Sequence, residues 1–510
     1  MKKHGWLLSV FLCIFSGAVA QVAPGSFGYF QDALRYSRTF TGGTARMQAL
    51  GGAGTGLGGE ISSAWLNPAG LGMVQRSHIT FTPTVTSFNA DADFRGEPTN
   101  DFRVNVNFSH LGVVLHLPAN RRRESKFRGG SLAFTLARQN DFQQQFSYQG
   151  TSDSLSIIDA FLERADGVPW SALDDELNFG ITSDLGLAYA TYLINPDVFF
   201  DETGFDTYYS FVPGARNLQT ETVERRGAQN QFNIAYGGNY DDRVFFGVSL
   251  GIQQINYRES RTYSEVYDNQ SPLRELVLRD NLRVRGVGAN LSFGILARLT
   301  DFFRLGWQVV TPTFIYLDEE YDADLTTLYN NYFFEAENIL LNRQEAQTLI
   351  LESNYTLLTP FRTSLGASLI IGKRGFLTGE LEYVNYGSAK LGSPSFADDF
   401  RADNTTIGNL YTNVLNWKGG AEIRLDPVRL RGGIALYADP FAEVDERQNL
   451  SVYSFGIGSW GRAMFFDLTF SYRRFDSQYS PYQFADPAFT PRVEITNAMV
   501  TIAASVGFFF

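Results

Sequence analysis

Cysteine is almost absent from this sequence: its 510 residues hold one, Cys13. That excludes a disulfide framework and a cysteine metal site. Histidine is scarce too, with 4 in the chain. His78, His110 and His116 sit at no metal-binding spacing, and no G-x-S-x-G nucleophile elbow occurs. These absences argue against an enzyme, and no cofactor or metal is expected. Long apolar runs are also missing. No stretch offers the roughly 18 consecutive apolar residues of a membrane-crossing helix. Cations are outnumbered, Lys+Arg 42 against Asp+Glu 54, and the net charge of −12 argues against nucleic acid as a partner. Mean hydropathy is −0.15. Soluble proteins share that value, but so do barrels whose strands alternate between lipid and lumen.

What is present is aromatic and small. Phe 44, Tyr 25 and Gly 48 fit aromatic girdles and strand glycines. The chain opens on Lys2 and Lys3, continues through an apolar stretch from Trp6 to Phe15, and reaches Ala18-Val19-Ala20 before Gln21. That order predicts a secretory leader over 1–20, with cleavage expected after Ala20.

Strict alternation dominates the remainder. Val500, Ile502, Ala504, Val506, Phe508 and Phe510 share one face, and Thr501, Ala503, Ser505 and Gly507 the other. Val244, Phe246, Val248, Leu250 and Ile252 oppose Gly247, Ser249, Gly251 and Gln253. The same pattern predicts strands near 78–89, 102–117, 129–147, 229–240, 243–260, 284–299, 302–317, 361–372, 375–388, 412–425, 428–438, 449–460, 462–475 and 493–510. Tight connections such as Asp241-Asp242, Lys373-Arg374 and Asp426-Pro427 alternate with long ones. Short periplasmic turns and long outer loops give that rhythm. The expected fold is all-β: a transmembrane antiparallel barrel of about fourteen strands over 78–510, in the outer membrane of a Gram-negative bacterium. Its partners would be outer-membrane lipid, lipopolysaccharide and, during biogenesis, the barrel-assembly machinery, which reads the terminal aromatic strand.

Two long loops, 148–228 and 318–360, carry apolar residues at helical spacing and are expected to be partly helical, at Ser156–Ala165 and Tyr332–Leu351. The acidic run Asp318, Glu319, Glu320, Asp322 and Asp324 reads as a solvated loop, or as a place for divalent-cation bridging to lipopolysaccharide. In the second strand the apolar phase flips between Phe108 and Leu111, which predicts a bulge near Ser109 and His110. In the third, Arg138, Gln139, Asn140 and Asp141 interrupt an apolar face. Polar groups are costly against lipid, so the strand bends there or has left the bilayer core. A lateral opening at this kink is expected.

Residues 21–77 do not alternate. From Gly43 to Gly72 they are rich in glycine and small residues, too poor in apolar area for a core of their own. A compact segment tied to the first strand fits a plug in the lumen. Here the sequence resembles the FadL-like long-chain fatty-acid transport proteins. The likeness is carried by Gly43, Ala45, Arg46, Gly51, Gly52, Ala53, the acidic Glu60, Ser62-Ser63-Ala64 and Asn67-Pro68-Ala69-Gly70. Asp32-Ala33-Leu34-Arg35-Tyr36-Ser37 ahead of them looks like the Bacteroidetes-type branch, some of whose members are labelled haemin receptors. The resemblance implies a hatch-gated barrel that takes up hydrophobic compounds passively and releases them through a wall kink, with Asn67, Pro68 and Ala69 at the gate. Glu60 stands where the family usually has Asp, and the 148–228 loop is unusually long.

Parity points several charges into the lumen: Arg304, Arg362, Glu380, Glu382, Lys418, Glu422, Arg424, Arg429, Arg431, Asp467 and Arg473. They read as bracing salt bridges or, at Arg429 and Arg431, as a bidentate contact for a fatty-acid carboxylate. The expected function is passive uptake of hydrophobic compounds such as long-chain fatty acids. The alternatives are a receptor for haemin or another amphipathic ligand, and a structural or adhesive surface barrel.

Overall fold

The computed structural model describes residues 28–40, 42–119, 125–197, 207–212, 216–394, 400–442 and 449–510. The expected leader, 1–20, lies outside the described residues. Alternating side chains allow an antiparallel sheet with one face in lipid and one in the lumen. Nineteen strand segments form that sheet and join into fourteen barrel strands. These are β1 (His78–Phe94), β2 (Glu97–Pro118), β3 (Phe127–Asp141, continued by Gln144–Ser152), β4 (Asn217–Tyr240), β5 (Val244–Tyr267), β6 (Leu273–Arg298) and β7 (Phe303–Val310, continued by Phe314–Phe334). Then come β8 (Ile339–Gln347, Leu351–Leu358 and Arg362–Ile371), β9 (Gly375–Asn385 and Lys390–Gly392), β10 (Asn413–Leu425), β11 (Val428–Tyr437), β12 (Leu450–Trp460), β13 (Met464–Tyr479) and β14 (Val493–Phe509). β1 pairs with β14 from His78↔Phe509 to Asp93↔Glu494, which closes the barrel. Among the described residues no helix is long and apolar enough to cross a membrane.

The described part of the N-terminal segment lies inside the barrel. It carries α1 (Tyr29–Ser37), α2 (Ala45–Ala49), α3 (Ser63–Leu66) and a 3₁₀ turn, Pro68–Met73. Outer connections carry α4 (Ile157–Ala165), α5 (Trp170–Phe179), α6 (Asp184–Ala190) and α7 (Arg401–Leu410). α4 is fastened at its start. Ser156 and Asp159 form a capping box, and the Ile157 amide donates to Glu265 Oε1 of β5 at 2.9 Å. The main apolar core lies where these helices meet the upper inner wall, around Tyr36, Phe161, Leu187, Leu276, Leu325 and Tyr355.

Three expectations about the outer connections are overturned. Tyr332–Leu351 is not helical: Tyr332–Phe334 end β7 and Ile339 begins β8, with Tyr332↔Leu341 and Phe334↔Ile339 as partners. β6 rises high enough to offer an edge for this hairpin, and pairing on that edge overrides local spacing. The acidic run is not a loop either. Asp318, Glu320, Asp322 and Asp324 face outward on β7, and Arg279 Nη1 meets Asp324 Oδ2 at 2.9 Å and Arg283 Nη1 meets Glu320 Oε2 at 3.3 Å. The long 261–283 connection shrinks to residues 268–272, because β5 and β6 continue above the apolar belt.

Candidate functional site: a wall window sealed by the hatch

The site begins with one extra residue in β2. Thr82 of β1 pairs with His110 and Pro83 pairs with Phe108, leaving Ser109 over. A bulge turns a side chain to a new direction, and Ser109 and His110 are both buried. The β2–β3 ladder runs from Pro118↔Gly129 to His110↔Ala137 and stops. β3 is irregular at the same level, where Arg138 faces Asn230, Asn140 faces Gln229, and Gln139 is skipped. Above this point the pairing of β3 is with β4, and that of β2 is with β1. The walls meet again higher up, where Ser147 N donates to Asp101 Oδ2 at 2.6 Å. Between these levels the wall has a window with no backbone ladder. Side chains span it: Asn107 donates to Asp141 Oδ2 at 3.1 Å.

The hatch covers the window from inside. The Phe40 amide donates to Gln139 O at 2.9 Å, and Asn140 Nδ2 donates to Arg38 O at 3.2 Å. The hatch chain thus occupies part of the β3 edge that β2 leaves bare. Gly42 touches Arg138 O so closely that a Cβ would not fit. Ser109 Oγ donates to Gly43 O at 2.9 Å and accepts from Gln48 Nε2 at 3.0 Å. The Trp65 ring lies 5.5 Å from the His110 ring, and neither ring nitrogen of His110 has a hydrogen-bond partner.

Below the window the hatch is tied down by its own motif. Thr44 donates to Glu60 Oε1 at 2.6 Å, and Glu60 Oε2 accepts from the Ser62 amide at 2.8 Å, joining the starts of α2 and α3. Asn67 Oδ1 accepts from the Ala69 amide at 3.1 Å, and Asn67 Nδ2 donates to Thr55 O at 2.8 Å. Gly51 and Gly52 have φ of +63° and +79°, a left-handed backbone that suits glycine. A Cβ on Gly51 would also sit 2.6 Å from Ile434 O of β11. Wall glycines answer those of the hatch: Gly247 and Gly294 lie against Pro68 and Asn67, and Gly306 and Gly366 against Thr55 and Gly56. Gly70 packs on Gly58 and Ser63 within the hatch. Arg46 reaches Glu422 at 3.4 Å and lies over Trp460.

Above the hatch is a cavity of about 500 Å³, within the range of ligand sites. Phe30, Leu34, Phe88, Phe142, Phe146, Phe475, Ile495 and Met499 supply apolar lining, and Arg35, Arg38, Arg225 and Arg473 supply cations. Asp32 backs it, buried, bonded to Arg35 and Tyr355. Burial raises the Asp32 carboxyl above its ordinary value, against the pull of Arg35. A smaller cavity below joins Phe40, Gln48, Ser109, Arg138 and Arg473, on the inner side of the window. A third, of about 330 Å³, is lined by Asn105, Asn107, Arg138, Ala228, Asn230, Gln254 and Asn256.

The structure brings Ser109, His110, Arg138, Asn140 and Asp141 together at the window. It sends Asn67, Pro68 and Ala69 elsewhere, to the β4–β6 wall through Gly237, Gly247 and Gly294. The hatch residues that meet the window are Phe40, Gly42, Gly43, Gln48 and Trp65. Alternation could not find them, because hatch positions carry no period. The carboxylate contact expected at Arg431 is corrected. Arg431 is buried, with Nε 2.8 Å from Glu422 Oε2 and Nη1 2.6 Å from Asp467 Oδ1, so wall carboxylates take its charge. Arg429 lies over Trp460 at 4.3 Å. Neither lines the 500 Å³ cavity.

Comparison with solved structures agrees with this architecture. A Pseudomonas aeruginosa FadL homologue aligns with TM-score 0.54 at 11% identity, over 92% of this chain and 99% of that one. The Pseudomonas putida toluene transporter TodX aligns with TM-score 0.51 at 13% identity, over 93% and 100%. No family model and no curated protein matches the chain. At these identities the likeness is one of fold: the chain is an outer-membrane β-barrel of fourteen strands, built like the FadL homologue and the toluene transporter.

Proposed function

We propose that this protein takes up hydrophobic small molecules across the outer membrane by diffusion. Long-chain fatty acids are the best-fitting cargo. The ligand rests in the cavity above the hatch and leaves sideways through the window between β2 and β3. The observation that carries this reading is the covered gap. A wall ladder that stops at His110↔Ala137 is closed from inside by Arg38, Phe40, Gly42 and Gly43 of the hatch, through few hydrogen bonds among the described residues. A small hatch displacement would join the inner cavity to the polar niche of Asn105, Asn107 and Asn230. The toluene transporter among the structural neighbours supports hydrophobic cargo. Two other readings fit less well. Haemin binding through a histidine ligand lacks its ligand, since no histidine lines the cavity among the described residues. A purely structural or adhesive barrel gives no reason for an apolar cavity behind a sealed wall gap.

Filling the niche tests the route. Asn107→Trp and Ala228→Trp should abolish uptake of a labelled fatty acid by cells, while purified protein still binds it. Uptake at the wild-type rate with the niche filled would refute lateral release. Mass spectrometry of lipids co-purifying from native membrane should show fatty acids enriched over a control barrel; no enrichment of any apolar compound would count against the transport reading.

A further inference from the structure

The outward face of β4, β5 and β6 changes chemistry in a fixed order going up from the lipid. On β5 the outward residues are Leu250 and Ile252, then Gln254 and Asn256, then Arg258. On β4 they are Ile234 and Phe232, then Asn230 and Ala228, then Arg226. On β6, Val287 is followed directly by Arg285 and Arg283. The register makes the three ends level: Arg226 pairs with Arg258, and Arg258 with Arg283. Tyr316 of β7 pairs with Val287 one step lower, and an outward aromatic residue suits the membrane interface. The arginine row therefore stands just above the hydrocarbon, at the height of lipid headgroups.

Like charges in direct cross-strand opposition work against a sheet, and the nearby carboxylates do not cancel this row. Glu224 is shared between Arg226 and Arg103 of β2. Glu320 is shared between Arg283 at 3.3 Å and Arg285 at 4.0 Å, and Asp318 stands opposite Arg285. Arg258, exposed in the middle of the row, has an arginine on each side and reaches no carboxylate at ion-pair distance among the described residues. Guanidinium forks suit phosphate oxygens, which accept their paired N–H donors.

We propose that this face holds the phosphorylated sugar headgroup of an outer-leaflet glycolipid, the lipid A part of lipopolysaccharide. A phosphate lies on Arg226, Arg258 and Arg283. The sugar rests against the side-chain amides of Asn230, Gln254 and Asn256, and the acyl chains run down over Phe232, Ile252 and Leu250. The order cation, amide, apolar thus matches phosphate, sugar, acyl chain. A phospholipid brings the phosphate without the sugar, and free phosphate leaves the amide and apolar rows unused. The site is on the outer wall, apart from lumen and hatch, and does not depend on what the barrel carries. Asn230, Gln254 and Asn256 also line the niche outside the window, so the bound glycolipid stands at its upper rim.

The test measures binding of lipid A, lipid A stripped of its phosphates, phosphatidylglycerol and inorganic phosphate to the purified full-length barrel in detergent micelles. The variants are the triple Arg226→Gln/Arg258→Gln/Arg283→Gln and, as a control, Arg279→Gln, which removes an outward arginine higher on β6 that pairs with Asp324. Heat-modifiable mobility checks folding. Wild type should prefer lipid A over the stripped form by on the order of tenfold to a hundredfold, the range of hydrogen bonds to charged groups. The triple variant should lose most of that preference, and Arg279→Gln should keep it. Without lipid A the triple variant should unfold no earlier than wild type, since it relieves like charges in opposition. Equal binding of the two lipid A forms by wild type would overturn the proposal, as would a folded triple variant that keeps the preference. Phosphatidylglycerol bound as tightly as lipid A, or lipid A displaced by an equal concentration of inorganic phosphate, would overturn the glycolipid assignment. Earlier unfolding of the lipid-free triple variant would make the row a brace of the wall and overturn it as well.

Discussion

The lower and upper halves of the barrel use the same alternation in opposite senses. On β5 the lower outward residues are Val244, Phe246, Val248, Leu250 and Ile252, all exposed, and Gln253 and Ser249 point in. Further up, Gln254, Asn256, Arg258 and Ser260 point out, and Ile255, Tyr257 and Tyr263 are buried. β6 reverses likewise: Phe293 and Ile295 face out below, but above them Arg283 and Arg279 do, with Leu276, Leu278 and Leu282 inside. The strands do not slip register; the solvent changes. Below, lipid surrounds the wall and the glycine-rich hatch fills the lumen. Above, water surrounds the wall and an apolar core of α1, α4 and α6 fills it. The window lies at the seam between the two regimes. In the proposed function, ligand passes there, between apolar and polar surroundings.

The largest predicted effect probes the polar lower interior. Glu422 holds Arg431, Arg424 and Arg46, so Glu422→Leu should cost about 3–5 kcal/mol, the loss on breaking a buried ion pair by removing one partner. Urea unfolding in lipid vesicles measures it. Next comes the contrast between halves. Leu250→Arg should cost about 2–4 kcal/mol in the same assay, as a charge facing the bilayer midplane does. Asn256→Arg, outward on the same strand but above the belt, should be close to neutral. Equal costs would break the comparison. Asn67→Ala removes the cap of the 3₁₀ turn and should cost about 1 kcal/mol, seen as earlier loss of hatch protection from protease. The smallest pair sharpens the reversal: Ile255→Val, buried above the belt, should cost about 0.5–1.5 kcal/mol, and Ile252→Val, facing lipid, should cost less.

Much of this was legible in the sequence. Strand positions, the even count and the tight turns follow from period-two patterning, because the lipid belt enforces it residue by residue. The Ser109 bulge showed as a phase flip, the one mark a wall irregularity leaves on an alternating strand. Above the belt the reading weakened. Tyr332–Leu351 looked helical, since its pairing depends on the end of β7, which is itself held on the distant edge of β6. The window-sealing residues and Arg38 were invisible because the hatch has no period and its contacts are set by the wall. Arg473 was placed in the lumen by parity, but only the fold shows that Arg431 has carboxylate partners at ion-pair distance and that Arg473 has none among the described residues.

The central claim, that the hatch seals a real gap and moves to open it, is tested most directly by amide hydrogen exchange in purified protein with and without hexadecanoate. The Phe40 amide, bonded across the gap to Gln139, should change protection on ligand binding. The Ala45 amide, 2.7 Å from Ser505 Oγ at the base of the hatch, should not. Ligand bound with Phe40 protection unchanged, in protein that still transports, would contradict the account.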